Sequence, residues 1–259
     1  MATLTTDGML AVAAALGVQT FPTVLGVRSR HTAHADLVAA RAAAVADLSG
    51  RGILDREGEV RDDELTAALF VLARPERQLV ARIKRGDSLI RFCLARRGLE
   101  HGVAVRTGDD LEVSTVWAGD DPATLARPLL SVLGSVAPAD VPPFSAPTEE
   151  LRDRLDSAEV TEAVYGLGMP EADAVTLGLA LRERVSTTEL VCYSHHDGLA
   201  VRSAAAAAVY DTASGRIIGG GSVTADGRPW TTLAPGTDGR LAQVIASLVE
   251  SLPEGRWMP

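Results

Sequence analysis

The chain has 259 residues, a formal net charge of −9 and a sequence pI near 5.1. That balance excludes a general binder of nucleic acid or of anionic membranes, since both need Lys and Arg to neutralise phosphates. Two cysteines without CxxC spacing, scattered histidines and no run approaching the ~20 apolar residues of a membrane span exclude a disulfide framework, a zinc module and membrane insertion.

Thr6-Asp7 stands before Met9, Leu10, Ala13, Ala14 and Leu16 at helical spacing, and Gly17 stops that helix. Residues 21–28 read as a strand. Residues 33–48 are helical, leaving through Arg51-Gly52 into a turn at 55–58. Asp62-Asp63-Glu64 place carboxylates at the positive end of a helix running to Arg74. An antiparallel meander follows, with alternating segments at 77–85, 89–97, 103–107 and 111–117 separated by Gly-containing turns. Asp120-Asp121-Pro122 then cap a helix to about Leu133, and proline and small residues in 138–147 mark a linker.

The same order returns. Helical pattern covers 148–165 and 171–184, with a break between, and strands are expected at 188–195, 199–203, 206–211 and 216–221. Asp226-Gly227 suits a tight hairpin leading to a strand near 228–233. Thr237 or Asp238 caps a last helix through Leu241, Val244, Ile245, Leu248, Val249 and Leu252, which Pro253 ends. Trp257 and Met258 put apolar area on a terminus, so that tail is expected to dock. Thr124-Leu125-Ala126 matches Arg240-Leu241-Ala242, and Phe92-Cys93-Leu94 matches Val191-Cys192-Tyr193. These pairings imply a single domain over 1–259 built from pseudo-repeat halves, approximately 1–137 and 148–259. The expected class is α+β: a large central twisted antiparallel sheet from two quasi-two-fold related halves, with flanking helices. An open face on such a sheet is a surface for a protein partner rather than a pocket for a metabolite.

No residues converge for catalysis. Ser194-His195-His196-Asp197 holds a hydroxyl, two imidazoles and a carboxylate, but neighbouring strand residues point to opposite faces, so a strand end and an Asp-Gly turn explain it better. His31 and His34 lie three apart without a third ligand and read as solvated. Gly219-Gly220-Gly221-Ser222 lacks the Lys-Ser/Thr and the helix of a phosphate loop, so its glycines permit close approach. Cys93 and Cys192 read as buried inert thiols, and the acidic pairs 62–63, 109–110 and 120–121 as caps and turns. No metal site and no cofactor is expected. The local basic concentration is Arg82, Lys84 and Arg85 with Arg91, Arg96 and Arg97, a candidate docking rim. Two other functions stay open: a small-molecule enzyme around His195, His196 and Asp197, and a dimeric scaffold.

The run Thr224-Ala225-Asp226-Gly227-Arg228, then Trp230-Thr231-Thr232-Leu233-Ala234-Pro235-Gly236-Thr237, Arg240-Leu241 and the tail Leu252-Pro253-Glu254-Gly255-Arg256-Trp257 resembles the EspG family of type VII (ESX) secretion systems in actinobacteria. Arg51-Gly52-Ile53-Leu54-Asp55, Leu72-Ala73-Arg74-Pro75-Glu76-Arg77 and Val209-Tyr210-Asp211-Thr212 extend the likeness over nearly the whole chain. The resemblance implies a cytoplasmic, non-enzymatic chaperone that binds the apolar helical tip of a PPE protein within a PE–PPE heterodimer, keeps it soluble and directs it to export. It also implies a C-terminal helical bundle beside the sheet; a homodimer of the free protein is a separate expectation that goes with the dimeric scaffold. The family's early loop corresponds here to Arg85, Gly86, Asp87 and Ser88, a short hairpin where the family often has a longer loop. The candidate protein-binding residues are Arg82, Ile83, Lys84, Arg85, Gly86, Asp87 and Ser88.

Overall fold

A computed structural model describes residues 1–155, 160–224 and 226–259. Among them lie eight α-helices and eleven strands of an antiparallel sheet that does not close, so the class is α+β. The chain divides into two compact units, residues 1–80 with 88–117 and 259, and residues 81–87 with 118–258.

In the first unit β1 (Ala2–Thr5) precedes α1 (Thr6–Ala15), a 3-10 turn (Thr23–Leu25), α2 (His34–Gly50) and α3 (Asp63–Ala73). The strands β3 (Ser88–Arg97), β4 (Glu100–Thr107) and β5 (Asp110–Thr115) then form an antiparallel ladder to which β1 adds beyond β5. Leu4 faces Leu111, Ala2 faces Val113 and Cys93 faces Ala104. These side chains are all buried, under a layer to which α3 contributes Leu65, Ala68, Leu69 and Leu72. The helix sits so close that a Cβ on Gly102 would stand 2.8 Å from the Ala68 carbonyl oxygen. Asp62 caps α3 through the Leu65 N–H, as its carboxylate position implies.

Two local readings change. Residues 21–28 are not a strand: Pro22 fixes its own φ, Thr23–Leu25 form the 3-10 turn and Gly26 takes φ +59°, which stops extension. Residues 2–5 do form one, their alternate residues Ala2 and Leu4 buried.

The second unit holds α4 (Pro122–Leu133), β6 (Phe144–Pro147), α5 (Thr148–Leu155), α6 (Val160–Gly166) and α7 (Glu171–Arg182). It continues with β7 (Arg184–His196), β8 (Leu199–Arg202), β9 (Ala207–Thr212), β10 (Gly215–Val223), β11 (Pro229–Pro235) and α8 (Asp238–Glu250). The strand order is β7-β9-β10-β11-β6, with β8 on the end of β7. The stretch read as a linker thus supplies β6, and Pro138 bridges Arg216. Helices lie on both sides of this ladder. On one, α5 to α7 bring Leu151, Val164, Leu177 and Leu181 onto Ile217, Leu233 and the half-buried Tyr210. On the other lies α8, where a Cβ on Gly220 would stand 2.8 Å from Val244 Cγ2, so the glycine run serves close approach.

Candidate protein-docking face

β7 alternates strictly along the part that matters. Ser186, Thr188, Leu190, Cys192 and Ser194 are buried, whereas Glu189 is exposed and Val191, Tyr193 and His195 are half-buried on the outward side. The bundle of α5 to α7 packs toward the β9–β11 end and leaves the outward side of β7 and β8 open. On β8 Arg202 stands opposite Tyr193 and Ala200 opposite His195, both exposed, whereas the exposed Leu199 and Val201 pair with His196 and Ser194 and so lie on the other face. The Tyr193 and His195 rings lie 6.3 Å apart. Apolar centres ringed by polar and cationic groups are the composition of protein-binding patches.

β2 (Arg77–Arg85) is the neighbour of β7 in strand order. Ala81 and Ile83 are buried, Arg82 and Lys84 exposed. Arg85 lies on the Ile83 side and donates from Nη2 to the Leu133 carbonyl, 3.4 Å away, at the negative end of α4. Gly86 adopts φ +57° in a two-residue turn with Asp87, and Ser88 opens β3 exposed. Of the seven residues singled out in the sequence, Arg82 and Lys84 point outward, Gly86, Asp87 and Ser88 form an exposed corner, Arg85 braces α4, and Ile83 belongs to the core. The rest of the basic run scatters: Arg96 is buried and pairs with Glu76 at 2.9 Å, and Arg91 turns to the 3-10 turn. Sequence reasoning missed Val191 and Tyr193. Their strand alternation was visible, but their openness depends on where α5 to α7 settle.

Ser194 is buried while His196 and Asp197 are exposed beyond it, so the four-residue run at 194–197 does not converge. His31 is not merely solvated: its Nε2 lies 3.0 Å from Asp7 Oδ2. Among the described residues no three His, Cys, Asp or Glu side chains gather as a metal site. Burial pushes the Cys93 thiol well above its ordinary range and Cys192 up to about 12, which leaves both as inert thiols. No helix of the described residues is long and apolar enough to cross a membrane.

In the first unit a surface hollow of about 450 Å³ is lined by Ala67, Val71, Leu99, His101 and Trp117. His101 is buried and meets Trp117 edge-on at 5.6 Å. Desolvation, then the charge of Arg96, pull its pKa down to about 4, while the Leu99 backbone opposes them. The unfolded chain takes up this proton below about pH 6.5, and the folded chain refuses it until about pH 4. Stability should therefore fall between those values, by on the order of 2 kcal/mol in all. Urea midpoints from pH 7 to 4.5 should flatten in His101→Gln; an unchanged slope would count against this origin.

The EspG family model matches residues 5–247. The ESX-1 secretion-associated protein EspG1 of Mycobacterium marinum is 33% identical, over 98% of this chain and 90% of its own length. The ESX-3 secretion-associated protein EspG3 of Mycolicibacterium smegmatis is 29% identical over 99% of this chain and 88% of its own. Among solved structures, the Mycobacterium tuberculosis type VII secretion system chaperone EspG5, in complex with the PE25–PPE41 dimer, superposes with a TM-score of 0.79 at 22% identity and covers 99% of this chain and 98% of that one. With a family match over almost its full length, and a fold to agree with it, the chain belongs to the EspG family.

Proposed function

We propose that this protein is a cytoplasmic chaperone of a type VII (ESX) secretion system, which holds the PPE subunit of a PE–PPE heterodimer, keeps it soluble and presents it for export. The observation that carries this reading is full-length kinship with ESX secretion-associated proteins, together with a fold like that of a chaperone solved with such a dimer. It is a binding protein and not an enzyme. The open side of β7 and β2 is the contact: Val191 and Tyr193 at the centre take apolar side chains of the helical tip, while Arg82, Lys84 and the corner Gly86, Asp87 and Ser88 form the polar rim. Two related halves, 1–137 and 148–259, account for the repeated order of meander and capped helix.

Co-expression with PE–PPE pairs from the same genome tests the function. A stable complex with at least one pair is expected, and failure with every pair would sink the reading. Tyr193→Ala should weaken that complex by about tenfold or more, as for a buried aromatic anchor. Arg82→Glu with Lys84→Glu should mainly slow association and flatten or reverse its salt dependence. Wild-type binding by both variants would move the contact elsewhere.

A further inference from the structure

Four arginines of the first unit gather at the end of the 3-10 turn. Arg106 Nη1 donates to the Leu25 and Gly26 carbonyls at 2.9 and 2.6 Å, and Arg91 Nη1 to the Val24 carbonyl at 3.0 Å. The two stand directly opposite one another on β4 and β3. Their guanidiniums flank one residue: a Cβ on Gly26 would lie 3.5 Å from Arg106 Nη1 and 3.6 Å from Arg91 Cζ. Arg28 and Arg30 follow the turn, both exposed. Asp109 pairs with Arg30, and Arg28 has no carboxylate partner among the described residues.

Like charges directly opposed on neighbouring strands are destabilising. Here one carboxylate answers four guanidiniums, in a chain whose net charge is −9. The crowding is felt at Arg106, where burial first, then the charges of Arg30 and Arg91, lower the affinity for its proton. Holding the turn and the Gly108 carbonyl, which Arg106 Nε reaches at 3.0 Å, explains Nη1 of Arg91 and both Nη1 and Nε of Arg106. It does not explain Arg28 and Arg30.

We propose that Arg28, Arg30, Arg91 and Arg106 form a docking point for an acidic protein segment, whose carboxylates take the remaining N–H groups of the four guanidiniums. A compact phosphate fits less well. Between Arg91 and Arg106 lie the carbonyl oxygens of Val24, Leu25 and Gly26, which would oppose its oxygens. The remaining donors are spread over two strands and the segment after the turn, an array that suits carboxylates spaced along a chain. In an acidic protein such a patch fixes where and in which orientation an acidic partner lands. This site uses other residues than the β7–β2 face and stands whether or not that face holds a PPE protein.

The test is fluorescence anisotropy of a labelled hexaglutamate peptide with the full chain at low salt. Binding that weakens with added salt is expected. Arg28→Glu with Arg30→Glu should lower the affinity by about tenfold or more. Arg152→Glu with Arg228→Glu makes the same change in net charge on exposed residues of the second unit, and should stay within about twofold of wild type. Arg28→Ala, which removes an exposed side chain without a carboxylate partner, should show a smaller loss with an unchanged melting curve. No peptide binding by the wild type, or equal losses in the two charge-reversed variants, would overturn the proposal. Displacement of the peptide by equimolar pyrophosphate would assign the site to a compact phosphate and overturn it as well.

Discussion

Asp211→Ala should be among the most damaging single substitutions in this protein, lowering unfolding free energy by about 3–5 kcal/mol. Asp211 and Arg216 have side-chain exposures of 6% and 1%, and the guanidinium grips the carboxylate at two points, Nε to Oδ1 at 2.7 Å and Nη2 to Oδ2 at 3.3 Å. Nη2 also reaches the Gly134 carbonyl at 3.1 Å, while Nη1 has no partner among the described residues. Without Asp211 the arginine would be a buried charge with one carbonyl for company. Its backbone ties two other segments together as well: the Arg216 N–H donates to Ala137, and the Arg216 carbonyl accepts from Ala139 and Gly236. The effect should appear as a lower urea midpoint, and the double change Asp211→Ala with Arg216→Met should recover part of the loss because no charge is left stranded. A single variant within about 1 kcal/mol of wild type would refute the argument.

The second large effect is expected at Trp257. Its side chain is 1% exposed although only two residues follow it in the sequence. The backbone N–H groups of Trp257 and Met258 both donate to Asp120 Oδ1, at 3.1 and 2.8 Å, so one carboxylate oxygen fixes the tail. Trp257→Ala should cost about 3–5 kcal/mol, and Asp120→Ala about 1–2 kcal/mol through two lost charge-assisted bonds at a partly exposed site. Thermal melts of both variants, with a truncation after Pro253 as reference, give the comparison. If the truncated protein melts with the wild type, the tail is an ornament and not part of the core.

Several elements were legible because their causes are local. The meander from Arg77 to Thr115 announced itself by alternation and Gly turns, Asp62, Asp121 and Thr237 announced three helix starts, and Trp257 its docking. Residues 21–28 misled for the opposite reason. Phe21, Val24, Leu25 and Val27 have the apolar content of a strand, but the turn there is held by Arg91 and Arg106 from strands far along the sequence. The same distance effect split the basic run of the first meander, sending Arg91 to that turn and Arg96 into the interior beside Glu76. At the docking face the outward aim of Arg82 and Lys84 followed from alternation alone. The half-buried state of Val191 and Tyr193 did not, because it records which strands the helices of another segment leave uncovered.

The turn Gly86-Asp87 carries one more consequence. A partner that grips its substrate with a long loop must freeze that loop on contact, and each residue so ordered costs about 1–2 kcal/mol of conformational entropy. Two residues, one of them already fixed by its left-handed φ, hold almost none of that freedom. The proposed face is therefore formed before its substrate arrives, with Arg82, Lys84, Val191 and Tyr193 carried on strands. For this proposed face selectivity then rests on shape held by strands, because the two-residue turn Gly86-Asp87 is too short to close over a helical tip that does not fit.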